Sequence, residues 1–118
     1  RPDAATTAAR ALLALPPDQR PTALFAASSR LALAALAVIG DLHLRIPEDI
    51  SVIGFDDADW ARSYSPQLTV VSQPTYEIGA RACRMLLARI NNPALPAEMV
   101  RLPAQLLVRR SCSPYRKA

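Results

Sequence analysis

The sequence has 118 residues, of which 51% are apolar, and its 14 lysines and arginines exceed its 10 aspartates and glutamates by four. This length and hydrophobicity fit one globular domain and exclude intrinsic disorder as the main state. No run of about 18 uncharged apolar residues occurs, so we expect no segment to span a bilayer. The opening residues RPDA contain neither an initiator methionine nor a leader pattern, and we expect the chain to be a piece of a longer protein.

The positive charge is concentrated at the end of the sequence. Arg109, Arg110, Arg116 and Lys117 carry four of the 14 cationic side chains, so residues 1–108 have no net charge. Arg109 and Arg110 are adjacent in an expected strand and should point to opposite faces, whereas a DNA-reading surface needs several cations on one face. We therefore expect no basic nucleic-acid-binding surface on this chain.

The chain contains few residues suited to metal binding or redox chemistry. Cys83, Cys112 and His43 are too few for a disulfide framework, a zinc cluster or Cys-His catalysis. We expect His43 to face solvent on a loop and the cysteines to be reduced. A cytoplasmic location without cofactor or metal follows from this interpretation.

Prolines punctuate the first part of the sequence and make its elements easy to separate. Residues 3–15 are rich in alanine and leucine and predict a helix, with Asp3 near its cap. The apolar run TALFAA predicts a strand over residues 22–27 that is buried on both faces.

The middle of the sequence predicts a second helix and a second buried strand. A helix is expected over residues 30–39, capped by a serine and ended by Gly40. Residues 49–55, DISVIGF, are β-branched and apolar and predict the strand.

The last part of the sequence predicts two helices and three strands. Residues 58–64 form a short helix, residues 68–72 form a third strand, and a helix runs from Pro74 to about residue 90. Residues 100–102 and 106–109 predict short terminal strands on either side of a proline.

Buried strands that alternate with helices predict an α/β fold with a parallel sheet flanked by helices. Only about three core strands fit the chain, whereas a doubly wound sheet has about five or six. We therefore expect further strands upstream and only part of a larger sheet here.

Polar side chains follow all three core strands: Ser28 and Ser29 after the first, Asp56 and Asp57 after the second, and Gln73 after the third. Small ligands bind at the carboxyl ends of parallel strands, where hydroxyl, carboxylate and amide groups suit a ligand rich in hydroxyl or nitrogen groups. Alternatively, these side chains only cap a helix or turn. We favour capping for the second member of each pair and ligand contact for Asp56, and leave Gln73 open.

The helix predicted over residues 30–39 is apolar on every side. Packing on a sheet needs only an apolar stripe, so its other face must be covered by a second subunit or by upstream residues. We predict a dimer interface made of the apolar side chains of this helix and two aromatic residues spaced four apart. These residues are Leu31, Leu33, Leu36, Trp60 and Tyr64.

The sequence contains no motif that supports an enzyme. There is no glycine-rich phosphate loop and no serine nucleophile elbow. Asp56 and Asp57 are adjacent carboxylates, but apart from Asp59 no further acid, base or metal ligand lies near them in sequence. We therefore expect no catalytic activity.

Residues 21–110 resemble the C-terminal part of the effector-binding domain of LacI/GalR-type transcriptional regulators. The run LRIPEDISVIGFDD, followed by SPQLTVVSQP and a helix that opens with YEIG, is highly specific for this family. Such repressors couple an N-terminal helix-turn-helix to a two-lobed sensor that is similar to periplasmic sugar-binding proteins, and they act as dimers or tetramers.

The resemblance implies that the chain is most of the second lobe, with residues 75–100 belonging to or crossing to the first lobe. It implies effector contacts at Asp56 and Gln73, in a cleft between lobes whose relative orientation biases the DNA-reading heads. Family members commonly carry Asn-Asp where Ser28 and Ser29 stand here. This difference favours a bulkier effector, or one bonded through water.

Our leading hypothesis is a homodimeric sensor of a sugar or related metabolite, with no membrane partner. A solute-binding protein of a transport system would use the same lobe, but the unbroken apolar helix disfavours a monomer. An enzyme on a similar sheet would need a catalytic partner for Asp56.

Overall fold

Four helices and four strands lie within residues 4–115, the part of the chain that the computed structural model describes. Asp3, Arg116 and Lys117, which we named above, lie outside it. The elements in chain order are α1 (Ala4–Leu13), β1 (Ala23–Ala26), α2 (Ser29–Asp41), β2 (Ser51–Phe55), α3 (Asp59–Ser63), β3 (Thr69–Ser72), α4 (Thr75–Asn91) and β4 (Gln105–Leu107). No helix in this part of the chain has the length and apolarity needed to cross a membrane.

The strands form one sheet in the order β1-β2-β3-β4. β1 pairs with β2, and β2 with β3, in parallel, which confirms the predicted α/β architecture. The sheet is mixed. The segment after β4 is hydrogen-bonded to the start of β3: Arg110 N–H donates to the Gln67 carbonyl, and Arg109 N–H to Thr69 Oγ1.

The core lies between one face of this sheet and helices α1 and α2. Val52 and Val70 are fully buried there, because every second side chain of a strand points to the same face. The other core members are Ala9, Leu13, Ala26, Ala32, Ala35, Leu36, Val38, Ile39, Ile50, Ala61 and Leu68. Burying these side chains supplies the main driving force for folding.

The opposite face of the sheet is more open. Phe25 in β1 is 58% exposed and meets Phe55 in β2 edge to face, with ring centroids 6.5 Å apart. Our expectation that residues 22–27 are buried on both faces is therefore wrong for the described chain. The cause is that α1 and α2 pack with the core residues of one face only.

Ser111 joins β2 and β3 where their pairing begins. Its side chain is completely buried. The Ser111 Oγ donates to the Val52 carbonyl and accepts from Thr69 N–H at 2.8 Å. Its own carbonyl accepts from Val52 N–H at 2.9 Å. A single residue from late in the sequence thus satisfies polar groups of two strands that would otherwise be buried without partners.

Three predicted boundaries are corrected by the structure. The second helix does not end at Gly40 but continues to Asp41, and the left-handed residue that follows it is the exposed His43, with φ of 54°. Residues 100–102 form no strand, and the terminal strand occupies Gln105–Leu107 instead of residues 106–109. Prolines mark approximate boundaries in the sequence. Each helix or strand, however, ends where its backbone hydrogen bonds end, and those bonds depend on other segments of the same chain.

Residues Gln73–Gln105 form a second compact unit, separate from the unit made of Arg1–Ser72 and Leu106–Ala118. Within it, Met99 and Val100 line a concavity with Ile78 and Met85 of α4. No side chain of α4 is fully buried: Cys83 is exposed and Met85 half-buried. The apolar side chains of α4 are therefore only partly covered by the residues of its own unit.

Candidate functional site

The strand register brings two of the predicted ligand-binding positions to one edge of the sheet. Ala26 at the end of β1 is level with Gly54 in β2, which is level with Val70 in β3. Ser28 lies two residues after β1 and Asp56 directly after β2, so both follow the carboxyl ends of neighbouring parallel strands. Small ligands bind at this edge of a parallel sheet.

Ser28 is the N-cap of α2. Its backbone is extended, with φ of −158° and ψ of 162°, and its Oγ accepts from Leu31 N–H at 3.2 Å. We favoured Ser29 for this role, but Ser29 is the first residue of the helix, because the chain enters the helix one residue earlier than expected. The Ser28 oxygen therefore already holds one bond, and its O–H remains a donor.

Asp56 occupies a backbone conformation that few residues adopt. Its φ is 76°, in the left-handed region. Its N–H donates to the Val71 carbonyl at 2.8 Å, which extends the pairing of β2 with β3 by one bond beyond the strand. The half-buried Asp56 is thus the residue at which the chain turns away from the sheet.

Asp57 forms an ion pair and not the cap that we expected. Its Oδ1 accepts from a guanidinium nitrogen of Arg109 at 2.8 Å, and the two side chains are only 19% and 13% exposed. The short helix α3 is instead preceded by Ala58, which makes no side-chain capping bond. The partner that decides the role of Asp57 lies 52 residues away in sequence, so no local pattern could identify it.

Gln73 directly follows β3 and is the first residue of the second compact unit. It is half-buried. Its place after the third strand matches the sequence prediction. Its role as a ligand contact remains a prediction.

The predicted dimer residues divide into exposed and buried groups. Leu31 and Leu33 of α2 are 42% and 49% exposed, whereas Leu36 is 4% exposed and belongs to the core. Leu36 is therefore excluded as a contact between subunits, because its side chain faces the sheet. Trp60 and Tyr64 are half-buried and pack against the core.

A cavity of about 270 Å³ opens at the amino ends of the strands, away from Asp56. It is lined by Ser51, Ser113 and Asp49 among others. The Arg45 N–H and guanidinium group hydrogen-bond the Asp49 carboxyl and hold its pKa below the usual value. Among residues 4–115, no group of three or more potential ligands could hold a metal ion.

The sequence matches the family described as periplasmic binding protein-like domain over residues 1–112. Among curated relatives, it is 40% identical over 94 residues to the HTH-type transcriptional repressor PurR of Pasteurella multocida, covering 80% of this chain and 28% of that protein. It is 43% identical over 93 residues to PurR of Photorhabdus laumondii, covering 79% and 27%. The chain thus spans less than a third of these repressors.

Two solved structures are similar to this chain. A LacI family transcriptional regulator from Enterococcus faecium with bound ribose has a TM-score of 0.82 and 32% identity, covering 95% of this chain and 40% of that one. A complex of the transcriptional regulator CelR with cellobiose has a TM-score of 0.82 and 38% identity, covering 92% and 33%.

The chain therefore belongs to the family of periplasmic binding protein-like domains. Within that family it corresponds to part of the C-terminal effector-binding region of LacI-type transcriptional regulators, which confirms the resemblance stated above.

Proposed function

We propose that this chain is part of the ligand sensor of a LacI-type transcriptional regulator and contributes Ser28, Asp56 and Gln73 to the binding of a small effector. The observation that carries the proposal is the parallel pairing of β1 with β2, because the strand ends that precede Ser28 and Asp56 then share one edge of the sheet. Membership of the family supports it, as do the ribose and cellobiose bound by two similar regulators.

The chemistry of these side chains suits a sugar or a related metabolite. A carboxylate at Asp56 can accept hydrogen bonds from two neighbouring hydroxyl groups at once. Ser28 can donate its O–H, and the Gln73 amide can both donate and accept. Ser29 is the first residue of α2 and is a further candidate contact.

We assign the regulator's other tasks partly to segments outside this chain and partly to its second compact unit. Operator binding belongs to a helix-turn-helix domain, as the names of the repressor relatives suggest. We assign the unit Gln73–Gln105 to the first lobe of the sensor, so that the effector is enclosed between lobes. The regulator acts in the cytoplasm and catalyses no reaction.

Effector binding controls DNA binding by favouring one arrangement of the two lobes. A ligand shifts such an equilibrium only by its difference in affinity for the two states, typically ~1–3 kcal/mol of coupling. Asp56 contributes to that difference if its hydrogen bonds to the effector form in one arrangement and not in the other.

Asp56→Asn in the intact protein tests the proposal. The substitution keeps the size of the side chain but removes the charge, so we expect the effector concentration for half-maximal change in operator binding to rise about tenfold or more. Operator affinity without effector should stay near that of the wild type. The measurement is a fluorescence anisotropy titration with operator DNA, using ribose and cellobiose as first probes.

The matched control is Asp59→Asn, which removes a fully exposed carboxylate three residues away. It should leave the response unchanged. An Asp56→Asn protein that responds to effector like the wild type would overturn the assignment of Asp56.

We also propose that the exposed side chains Leu31 and Leu33 of α2 lie in a homodimer interface, with Trp60 and Tyr64 at its border. Leu31 and Leu33 are 42% and 49% exposed, and each is an apolar side chain that contact with a partner subunit would cover.

Leu33→Glu should raise the dissociation constant of the dimer about 100-fold, because a charge would be buried without a partner. Leu33→Met, which stays apolar, should not. Sedimentation velocity over a dilution series measures both. A Leu33→Glu protein that remains dimeric at every concentration would exclude this surface.

A further inference from the structure

The turn at Asp56 needs an explanation, since a non-glycine residue in the left-handed region is strained. Such a conformation persists only where the surrounding structure holds it. One restraint is the bond from Asp56 N–H to the Val71 carbonyl. A second restraint acts on the next residue, because Asp57 is tied to Arg109.

Arg109 is anchored at three points. Its backbone N–H donates to Thr69 Oγ1 at 2.9 Å, one guanidinium nitrogen donates to the Leu68 carbonyl at 3.1 Å, and the other donates to Asp57 Oδ1 at 2.8 Å. Thr69 is the first residue of β3, and Leu68 directly precedes it. The guanidinium group therefore connects the beginning of one strand to the turn that ends its neighbour.

The planar guanidinium group suits this connection. It offers donors in fixed directions, whereas a lysine ammonium group carries its donors on a flexible stem. The ion pair is shielded, with side-chain exposures of 13% and 19%. Shielded pairs hold geometry better than exposed pairs, which are weakened by solvent and salt.

We propose that Arg109 is a positioning residue that fixes the direction of the Asp56 carboxylate through the Asp57 ion pair. The geometry of the turn follows from the contacts above. The consequence for effector binding rests on the proposed function. Arg109 would then contribute to ligand recognition without touching the ligand.

The first test needs no ligand. In the intact protein, Arg109→Met should speed amide hydrogen exchange at Asp56 N–H about tenfold beyond any change at Val52 N–H, because local opening of the turn becomes easier. Val52 N–H is the internal reference, since its acceptor is the Ser111 carbonyl. Arg109→Lys should restore part of the protection, because it keeps the charge opposite Asp57.

Arg110→Met is the matched control. Arg110 is adjacent in sequence and exposed, and its replacement should leave both exchange rates unchanged. Equal acceleration at Asp56 and Val52 in Arg109→Met would overturn the proposal, because Arg109 would then only stabilise the fold. No acceleration at either site would overturn it as well.

The second test concerns recognition and separates this proposal from the proposed function. Isothermal titration calorimetry with ribose and cellobiose first identifies which sugar the wild type binds. The Arg109→Met protein should bind that sugar about tenfold more weakly than the wild type does. If the wild type binds neither sugar, the sugar class fails, while the exchange experiment still decides the role of Arg109. Unchanged sugar affinity together with a loosened turn would overturn its role in recognition.

Discussion

Two aspartate–arginine pairs flank β2 in the sequence, one before it and one after it, and they differ in how they are built. Asp49 pairs with Arg45 four residues earlier, at 3.3 Å, and the arginine side chain is 72% exposed. Asp57 pairs with Arg109 across 52 residues, at 2.8 Å, with both side chains shielded. The first pair stabilises a loop that its own spacing already favours. The second holds together segments that come from distant parts of the sequence.

The comparison shows which ion pairs form locally and which require distant parts of the chain to be folded together. A local pair forms once its own loop forms and adds little when exposed. A shielded pair across the sheet forms only when both elements are in place, and the loss of one partner leaves a charge without compensation. We therefore expect the same substitution to cost more stability at a shielded pair than at an exposed pair.

The largest expected effect is at Asp57. Asp57→Ala should lower the free energy of unfolding by about 2 kcal/mol, because Arg109 loses its charged partner in a shielded position. Urea denaturation of the intact protein measures it. Asp41→Ala, which removes an exposed partner of Arg10, should change stability by less than about 0.5 kcal/mol. Equal losses for the two variants would remove the distinction between shielded and exposed pairs.

A smaller effect is expected at the left-handed residue. Asp56→Ala should be about 1 kcal/mol less stable than Asp56→Gly, because glycine adopts a positive φ without a steric penalty. Neither variant retains the carboxylate, so both should lose the effector response. Thermal denaturation compares the two proteins. Equal stability would show that the turn is not strained in solution.

The smallest effect is the pH dependence at Asp49. The Arg45 hydrogen bonds hold the pKa of Asp49 below the usual 3.8 in the folded state. Its contribution to stability is therefore present above about pH 4 and is lost as the pH falls through the folded pKa. Asp49→Asn should reduce the difference in Tm between pH 5 and pH 3 by about 2 °C. An unchanged difference would contradict the assignment.

Much of this fold was predictable because its signals are local. Apolar runs between prolines located β1, β2 and β3. The apolar run of residues 30–39, preceded by a serine, located α2. The polar strand ends were also predictable, since the parallel register follows from the alternation of helices and strands. The burial of individual side chains was harder to predict. Leu33 and Leu36 have the same side chain and lie about one turn apart, but the packing of α2 leaves Leu33 exposed and Leu36 buried.

The parts that escaped prediction depend on distant residues. The sequence identifies Asp56 as a candidate ligand contact, but not its φ of 76°, which reflects how the chain leaves β2. Arg109 was considered only for its charge. No sequence spacing relates Arg109 to Asp57. Its role depends on the fold, which brings the segment after β4 beside β3.

Ser111 has a consequence for the way the protein is made. It lies 59 residues after Val52, and translation adds about 5–20 residues per second. The paired strands β2 and β3 must therefore wait several seconds after their synthesis for the residue that completes their hydrogen bonds. During that interval water must satisfy those groups, and a chaperone that shields this end of the nascent chain would act before the late segment arrives.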